Sequence, residues 1–374
     1  MGGGPAAWGL LEAAIRLDLL GEIAAGGVTL LDRATRPGGG TLAGSDLPAN
    51  SSWSSVCEGL PGPAGGGMAG IGGVGTPVGR PTLADVAACQ QLRATLVAAA
   101  VRGCGVSLRG IAGAAATSVR PGPDGWRASY ELAPAGRPEV VDASKVVLAV
   151  GGRSRGVSLP GRTVLSGLAI LLGRRALPGP GIGAPLVVLG GGHTAWQVAG
   201  LALGMGHRVT LASRHAPVWS MPGVAYGPQD VCPVTGRPLR MSGLRGQAQR
   251  LAASGHERLD VVRVASHRDV PEQGVVVDCL APVSRAPALL DAGHLLAGPD
   301  GHLALDGITP LDGAGNPLRG VAVIGLGASP RRSDDLGGEP SYSGRLDSLR
   351  LYRAQVGARA ARLLADETPL ARPH

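Results

Sequence analysis

The sequence predicts an α/β fold built around two similar glycine-turn units, and three observations carry that expectation. The apolar run Leu186-Val187-Val188-Leu189 leads directly into a glycine turn and an apolar helix, and a second apolar run arrives about one βαβ length later. A second glycine turn, Gly2 to Ala7, is likewise followed by a helical pattern and then an apolar run. Two further runs, Val146–Val150 and Val321–Ile324, are continuously apolar, as strands covered on both faces are. With 374 residues the chain can hold two or three domains. Aromatics make up only 2% and Phe is absent, so the core must be packed from Leu, Val, Ala and Ile.

The elements follow in order. Pro5 suits a first helical position, where its missing N–H costs nothing, and Trp8, Leu11, Ala14, Ile15 and Leu19 recur at helical spacing. Gly26-Gly27 ends that segment, and Val28-Thr29-Leu30-Leu31 reads as a buried strand closing on Asp32. Residues 36–80, rich in Gly, Pro and Ser, read as loops over a binding face. A helix is expected from Thr82 to about Arg102, then strands near 104–120 and 126–133, then the run Lys145–Val150, which stops at Gly151-Gly152. Beyond a Pro/Gly-rich connector, Gly173–Pro185, come a strand at 186–189, a helix at 194–204 and a strand at 208–212. A polar segment at 216–240 precedes a helix near 242–254 and strands near 259–264 and 274–280. The strand Val321–Ile324, ending in Gly325-Leu326-Gly327, and a helix over Leu346–Leu364 close the chain.

In the second turn Gly190 permits the bend and Gly192 lets the backbone approach a pyrophosphate. Ala195 lets helix and strand pack closely, and the diphosphate would lie on the free N–H groups at the helix N-terminus. The strand that follows ends in Ser213-Arg214-His215 rather than an acid. Arg214 can pair with a 2′-phosphate, so NADPH is favoured over NADH, and His193 lies within the turn. In the first turn Gly2, Gly4 and Ala7 fill the same pattern, with Asp32 as the acid for an adenosine ribose. Met1 stands directly before Gly2 and leaves no room for a first strand, so the expectation is a start placed too late or a truncated chain.

Net charge and cysteines exclude other classes. The formal charge of +8 suits anionic cofactors, because the arginines are scattered and no basic run is interleaved with stacking aromatics; no nucleic-acid partner is expected. Cys57, Cys89, Cys104, Cys232 and Cys279 contain no C-x-x-C, so neither a redox dithiol nor a metal centre is indicated. The odd count without a secretion signal points to a cytoplasmic protein, and no apolar run approaches the ~18 residues of a membrane span.

The order of these segments resembles the flavoproteins with two dinucleotide-binding domains, in which an NAD(P)H domain is inserted into a discontinuous FAD domain. The resemblance implies two Rossmann-like domains: residues 1–160 and 285–374 for FAD, and 161–284 for NAD(P)H. It implies FAD contacts at Gly2, Gly4, Ala7 and Asp32, at the crossing turn Gly151-Gly152, and at the late segment Gly325 and Gly327. NADPH contacts would be Gly190, Gly192, His193, Ala195 and Arg214. Lacking a dithiol, the chain is more similar to the flavin monooxygenase branch, including the amine N-hydroxylases, than to the disulfide reductases. The loop Asp46–Ser55 and Gly337-Gly338-Glu339 with Tyr342 and Tyr352 look like segments near a flavin, whereas the Baeyer–Villiger fingerprint is absent. Many members place an Asp where this chain has Leu326, a change shared with N-hydroxylases.

The implied activity is NADPH-dependent oxygenation of a small, amine-type metabolite through a flavin hydroperoxide. The alternatives are an NAD(P)H dehydrogenase or oxidase that oxygenates nothing, and a non-catalytic nucleotide-binding protein. No catalytic residue stands out; His193, His215, Asp334, Asp335 and Glu339 are the candidates, each readable as structural or solvated. The expected partner is a small-molecule substrate, with no membrane, and a homo-oligomer is left open.

Overall fold

In the computed structural model the described residues are 3–40, 60, 82–134, 136–153, 156–179, 185–214, 243–266, 269, 270, 272, 274–280, 283, 284, 286–291, 293–296, 303–325, 353 and 355–366. Helix α1 (Pro5–Arg16) begins as its sequence dictates, with Gly4 extended at the N-cap and Pro5 in the first turn. A single turn, α2 (Leu20–Ile23), leads into strand β1 (Val28–Asp32). Helix α3 (Leu83–Gly103) opens on a capping box. Asp85 N–H donates to Thr82 Oγ1 at 3.1 Å and Thr82 N–H donates to Asp85 Oδ2 at 2.7 Å, so two otherwise orphaned donors are satisfied.

One half of the molecule is a three-layer stack. Strand β1 pairs in parallel with β2 (Leu108–Ala112). The antiparallel strands β3 (Ala114–Gly122), β4 (Gly125–Leu132) and β5 (Pro138–Ala143) form a second sheet. Strand β6 (Val146–Leu148) pairs in parallel with β16 (Val321–Val323), and helix α8 (Gln355–Asp366) is the last described element. Because side chains alternate along a strand, the parallel strands feed two cores. Leu30, Ala322 and Ile324 pack with α1, α3 and α8; Leu31, Val146, Leu148, Val321 and Val323 pack with β3 and β4. Residues near both ends of the chain, from Ala6 to Leu364, share the first core.

The chain crosses to the other half through β7 (Gly152–Arg153) and returns through β13 (Val283–Ser284), and these two pair antiparallel. Between them lie β8 (Val164–Ser166), α4 (Gly167–Leu171), β9 (Leu186–Leu189), α5 (His193–Gly204), β10 (Val209–Ser213), α6 (Gly243–Ser254), β11 (Leu259–Arg263) and β12 (Val276–Asp278). The five strands form one parallel sheet in the order β11-β10-β9-β12-β8. Residues Val187, Val188, Leu211, Val276 and Val277 are fully buried, as the unbroken apolar runs require. After the return come a short helix α7 (Ala286–Leu289) and the hairpin β14 (Leu305–Asp306) and β15 (Thr309–Pro310). The fold is α/β, with one Rossmann-like domain inserted into another.

The sequence reading missed β5, and the run 145–150 forms a strand only over Val146–Leu148. The expected helix at 346–364 is described only at 353 and over Gln355–Asp366. Most of the two long loops lies outside the described residues. Among the described residues no helix is long and apolar enough to cross a membrane.

One ion-pair cluster ties α1 and α3 to Arg353, just ahead of α8. Glu12 of α1 accepts from Arg93 of α3 at 3.4 Å and from Arg353 Nε at 3.1 Å, and Arg16 donates to the Arg353 carbonyl at 2.8 Å. Burial, followed by repulsion from Arg353, lowers the Arg93 pKa, and Glu12 is the charge that opposes both. Glu12→Gln is expected to lower the unfolding free energy by roughly 3 kcal/mol, because two confined guanidinium groups lose their shared anion. Urea unfolding measures this, and an unchanged midpoint would assign the cluster no stabilising role.

Candidate cofactor-binding site

Both glycine turns stand at the carboxyl ends of parallel strands, the position where open α/β sheets take ligands. In the first, the Gly3 carbonyl accepts two hydrogen bonds, from Gly38 N–H at 2.6 Å and from Trp8 Nε1–H at 2.9 Å. Helix α1 has no acidic residue in its first turn and no side chain capping its N-terminus, so its first N–H groups and its dipole are left for an anion. A Cβ at Gly3 would lie 2.5 Å from Asp32 Oδ2, so any side chain there would displace the Asp32 carboxylate. Gly325, with φ of +99°, comes close to Ala6 from the C-terminal part of the chain, where an added Cβ would lie 3.7 Å from the Ala6 Cβ.

Asp32 ends β1 beside this turn. Its Oδ1 accepts from Ala34 N–H at 3.0 Å, whereas Oδ2 is buried without a hydrogen-bond partner among the described residues. Burial raises the Asp32 pKa. The Ala34 hydrogen bond opposes the shift, as does the neighbouring Gly3 N–H. A buried acceptor with no donor is costly unless a ligand supplies one, and a ribose hydroxyl is a donor of the right kind. Next to Asp32 a cavity of about 330 Å³ opens between Thr35, Arg36 and Gly40 on one wall and Ala84, Ala88 and Gln91 of α3 on the other. The loop lining it is fixed from below, since any side chain at Gly38 would meet the Gln90 carbonyl at 2.6 Å.

The second turn is held by the strands on either side of β9. Gly190 N–H donates to the Ala212 carbonyl at 2.8 Å, and Cys279 N–H donates to the Leu189 carbonyl at 2.9 Å. Gly190 has φ of +136°, and a Cβ there would lie 2.8 Å from the Cys279 carbonyl oxygen. Gly192 is the extended N-cap of α5, whose first turn also lacks acids and a side-chain cap. Ala195 is fully buried, as close packing of helix on strand requires. Between β9 and β12 the strand order reverses, which is the switch point of this sheet. Arg214 follows β10 and is exposed, free to meet a ligand on that edge.

The structure thus brings Gly4, Ala7, Asp32 and Gly325 together in one half, and Gly190, Gly192, Ala195 and Arg214 into the other. Gly151, with φ of +66°, and Gly152 mark the crossing between halves. His193 opens α5. Gly2, Gly327, Leu326, His215, Asp334, Asp335, Glu339, Tyr342, Tyr352 and the loop 46–55 lie outside the described residues. Sequence reasoning missed Gly3, Trp8, Thr35, Arg36 and Gln91. The repeat Gly-Gly-Gly-x-x-Ala-Trp at 2–8 and 190–196 was the available signal for the first two.

The described cysteines form no disulfide. Cys89 and Cys279 are buried and Cys104 is exposed. Burial holds the Cys279 thiol well above its ordinary pKa, and a side chain at Gly167 would collide with its sulfur, so it is a packing group.

Two glycine turns on parallel strands, joined by a pair of crossing strands, are the arrangement of a fold with two dinucleotide-binding units. A family model for the pyridine nucleotide-disulphide oxidoreductases matches residues 1–221, and the chain belongs to that family. A CMP-5'-(3-aminopropyl)phosphonate hydroxylase from Streptomyces rubellomurinus is 30% identical over 431 residues, covering 97% of this chain and 96% of the relative. Among solved structures, the bacillithiol disulfide reductase Bdr (YpdA) from Bacillus cereus matches with a TM-score of 0.55 at 16% identity, over 98% of each chain. The Staphylococcus aureus protein of that name gives 0.51 at 13% identity, over 98% of this chain and 97% of its own. At such identities these two speak to the fold alone. The protein is an oxidoreductase that uses a flavin and a pyridine nucleotide.

Proposed function

We propose that the protein is an FAD-dependent monooxygenase that takes its electrons from NADPH and hydroxylates an amine-type small metabolite. The observation that carries this reading is the nearly end-to-end likeness to a hydroxylase. The cysteines agree with it, because no C-x-x-C exists to relay electrons to a disulfide. The relative's name points to an amine carried on a CMP-linked phosphonate, and that class of anionic amine is the first to test against this basic chain.

The residues fit the two cofactors. The N–H groups at the start of α1 would hold the FAD diphosphate, Asp32 would accept from the adenosine ribose, and Gly325 would let the late segment approach without a side chain. On the other sheet, the N–H groups at the start of α5 would hold the NADPH diphosphate, with Arg214 at the 2′-phosphate. Bound FAD supplies hydride acceptance from NADPH and activation of oxygen. The chain's own part is to position both dinucleotides and keep water from the reacting atoms. In the proposed division, residues 1–160 and 285–374 form the FAD domain and 161–284 the NADPH domain, a boundary supported by the β7–β13 crossing.

Arg214→Ala is expected to raise KM for NADPH by roughly tenfold or more and leave KM for NADH within about twofold, the loss of one charge-assisted contact. Equal effects on both would remove Arg214 from the 2′-phosphate site. The function itself is tested by stoichiometry with a panel of amines that includes CMP-linked aminoalkylphosphonates. Hydroxylated product matching NADPH consumed is the expected result, and NADPH consumption matched by hydrogen peroxide alone with every amine would overturn the hydroxylase reading.

A further inference from the structure

The geometry points to Trp8 as a positioning residue for the FAD diphosphate. This rests on placing FAD at the turn before α1. Trp8 is 3% exposed, in the first two turns of α1, and its indole reaches back to the turn that precedes its own helix, where Nε1–H donates to the Gly3 carbonyl at 2.9 Å. The same carbonyl accepts from Gly38 N–H at 2.6 Å, in the loop that follows Asp32. Both lone pairs of that oxygen are therefore engaged from inside the protein.

A trans peptide is planar, with its C=O and N–H on opposite sides. Fixing the Gly3 carbonyl inward thus fixes the Gly4 N–H outward. That N–H makes no hydrogen bond among the described residues, and a Cβ on Gly4 would meet none of them within 4 Å. The indole N–H, together with the Gly38 N–H, therefore holds ready a donor for a phosphate oxygen. The Gly38 bond joins the diphosphate turn to the loop that lines the cavity beside Asp32. An unrestrained glycine peptide can flip and present its carbonyl instead, which would repel the anion.

The test uses the full-length protein stripped of flavin and titrated with FAD and, separately, with NADPH. Trp8→Phe removes the donor and keeps a ring; 3-benzothienylalanine at position 8 removes the N–H with hardly any change of shape and guards against a packing artefact. Both are expected to raise the Kd for FAD about three- to tenfold, the equivalent of one neutral hydrogen bond, with the Kd for NADPH unchanged. Unchanged FAD affinity in the benzothienyl protein would overturn the role of Trp8, even if Trp8→Phe unfolds. If unmodified protein binds NADPH but no FAD, the placement of FAD at this turn fails first, and the inference with it.

Discussion

Gly190→Ala is expected to slow NADPH-driven reduction of the protein on the order of 100-fold while leaving its flavin content intact. The backbone at Gly190 has φ of +136°, which an L side chain adopts only under strain of about 1–3 kcal/mol. The added methyl would also lie 2.8 Å from the Cys279 carbonyl oxygen and 3.1 Å from its carbon. Neither atom belongs to a flexible side chain, so the turn itself must move. Cys279 is anchored through its N–H to Leu189, and β12 is locked into a five-stranded sheet, which leaves the helix end of the turn to yield. A displacement of even about 1 Å at the α5 N-terminus misplaces the nicotinamide, and losses on the order of 100-fold follow from such errors. Anaerobic stopped-flow reduction measures the rate directly. A variant reduced at the normal rate by NADPH would show that the Gly190 turn does not carry the nucleotide.

Asp32→Asn is expected to move stability and affinity in opposite directions. Burial lifts the Asp32 pKa above its ordinary 3.8, so the native state holds that proton more tightly than the unfolded chain does. The contribution of Asp32 to stability is therefore fully present below about pH 3.8 and is lost as pH rises through the higher folded value. At pH 7 the flavin-free protein carries a confined carboxylate with one unsatisfied oxygen, and the amide relieves that cost. The apoprotein of Asp32→Asn should then unfold at higher urea than the parent at neutral pH, with the gap closing as pH falls. Its affinity for FAD should drop roughly 10- to 100-fold, the loss of a hydrogen bond to a charged group. A variant that is both less stable at pH 7 and unchanged in FAD affinity would contradict the ligand role.

The centre of the inserted domain could be read from the chain, because β9 is an unbroken apolar run ending at Gly190 and β10 is a largely apolar one ending at Ser213, whereas the short edge strand β8 was missed. The flavin half was harder. Strand β5 escaped because Pro138–Ala143 alternates between exposed and half-buried positions and so lacks a strong apolar stripe. The cavity beside Asp32 escaped because its walls come from a glycine-rich bend and from the small-residue face of α3, neither of which has a sequence signature. Asp32 could be picked out by its place at the end of a strand. Its unpaired oxygen could not, since that depends on Gly3 packing against it from the preceding turn. Trp8 read as one apolar helix position among several, and only the fold shows its N–H turned back onto Gly3.

The most direct measurement is the visible absorbance of the purified, FAD-supplied protein before and after anaerobic addition of one equivalent of NADPH. An oxidised-flavin band that bleaches on NADPH addition and returns with oxygen is the result expected from two working dinucleotide sites. A protein that shows no flavin band after incubation with FAD, or one whose band NADPH does not bleach, would contradict it.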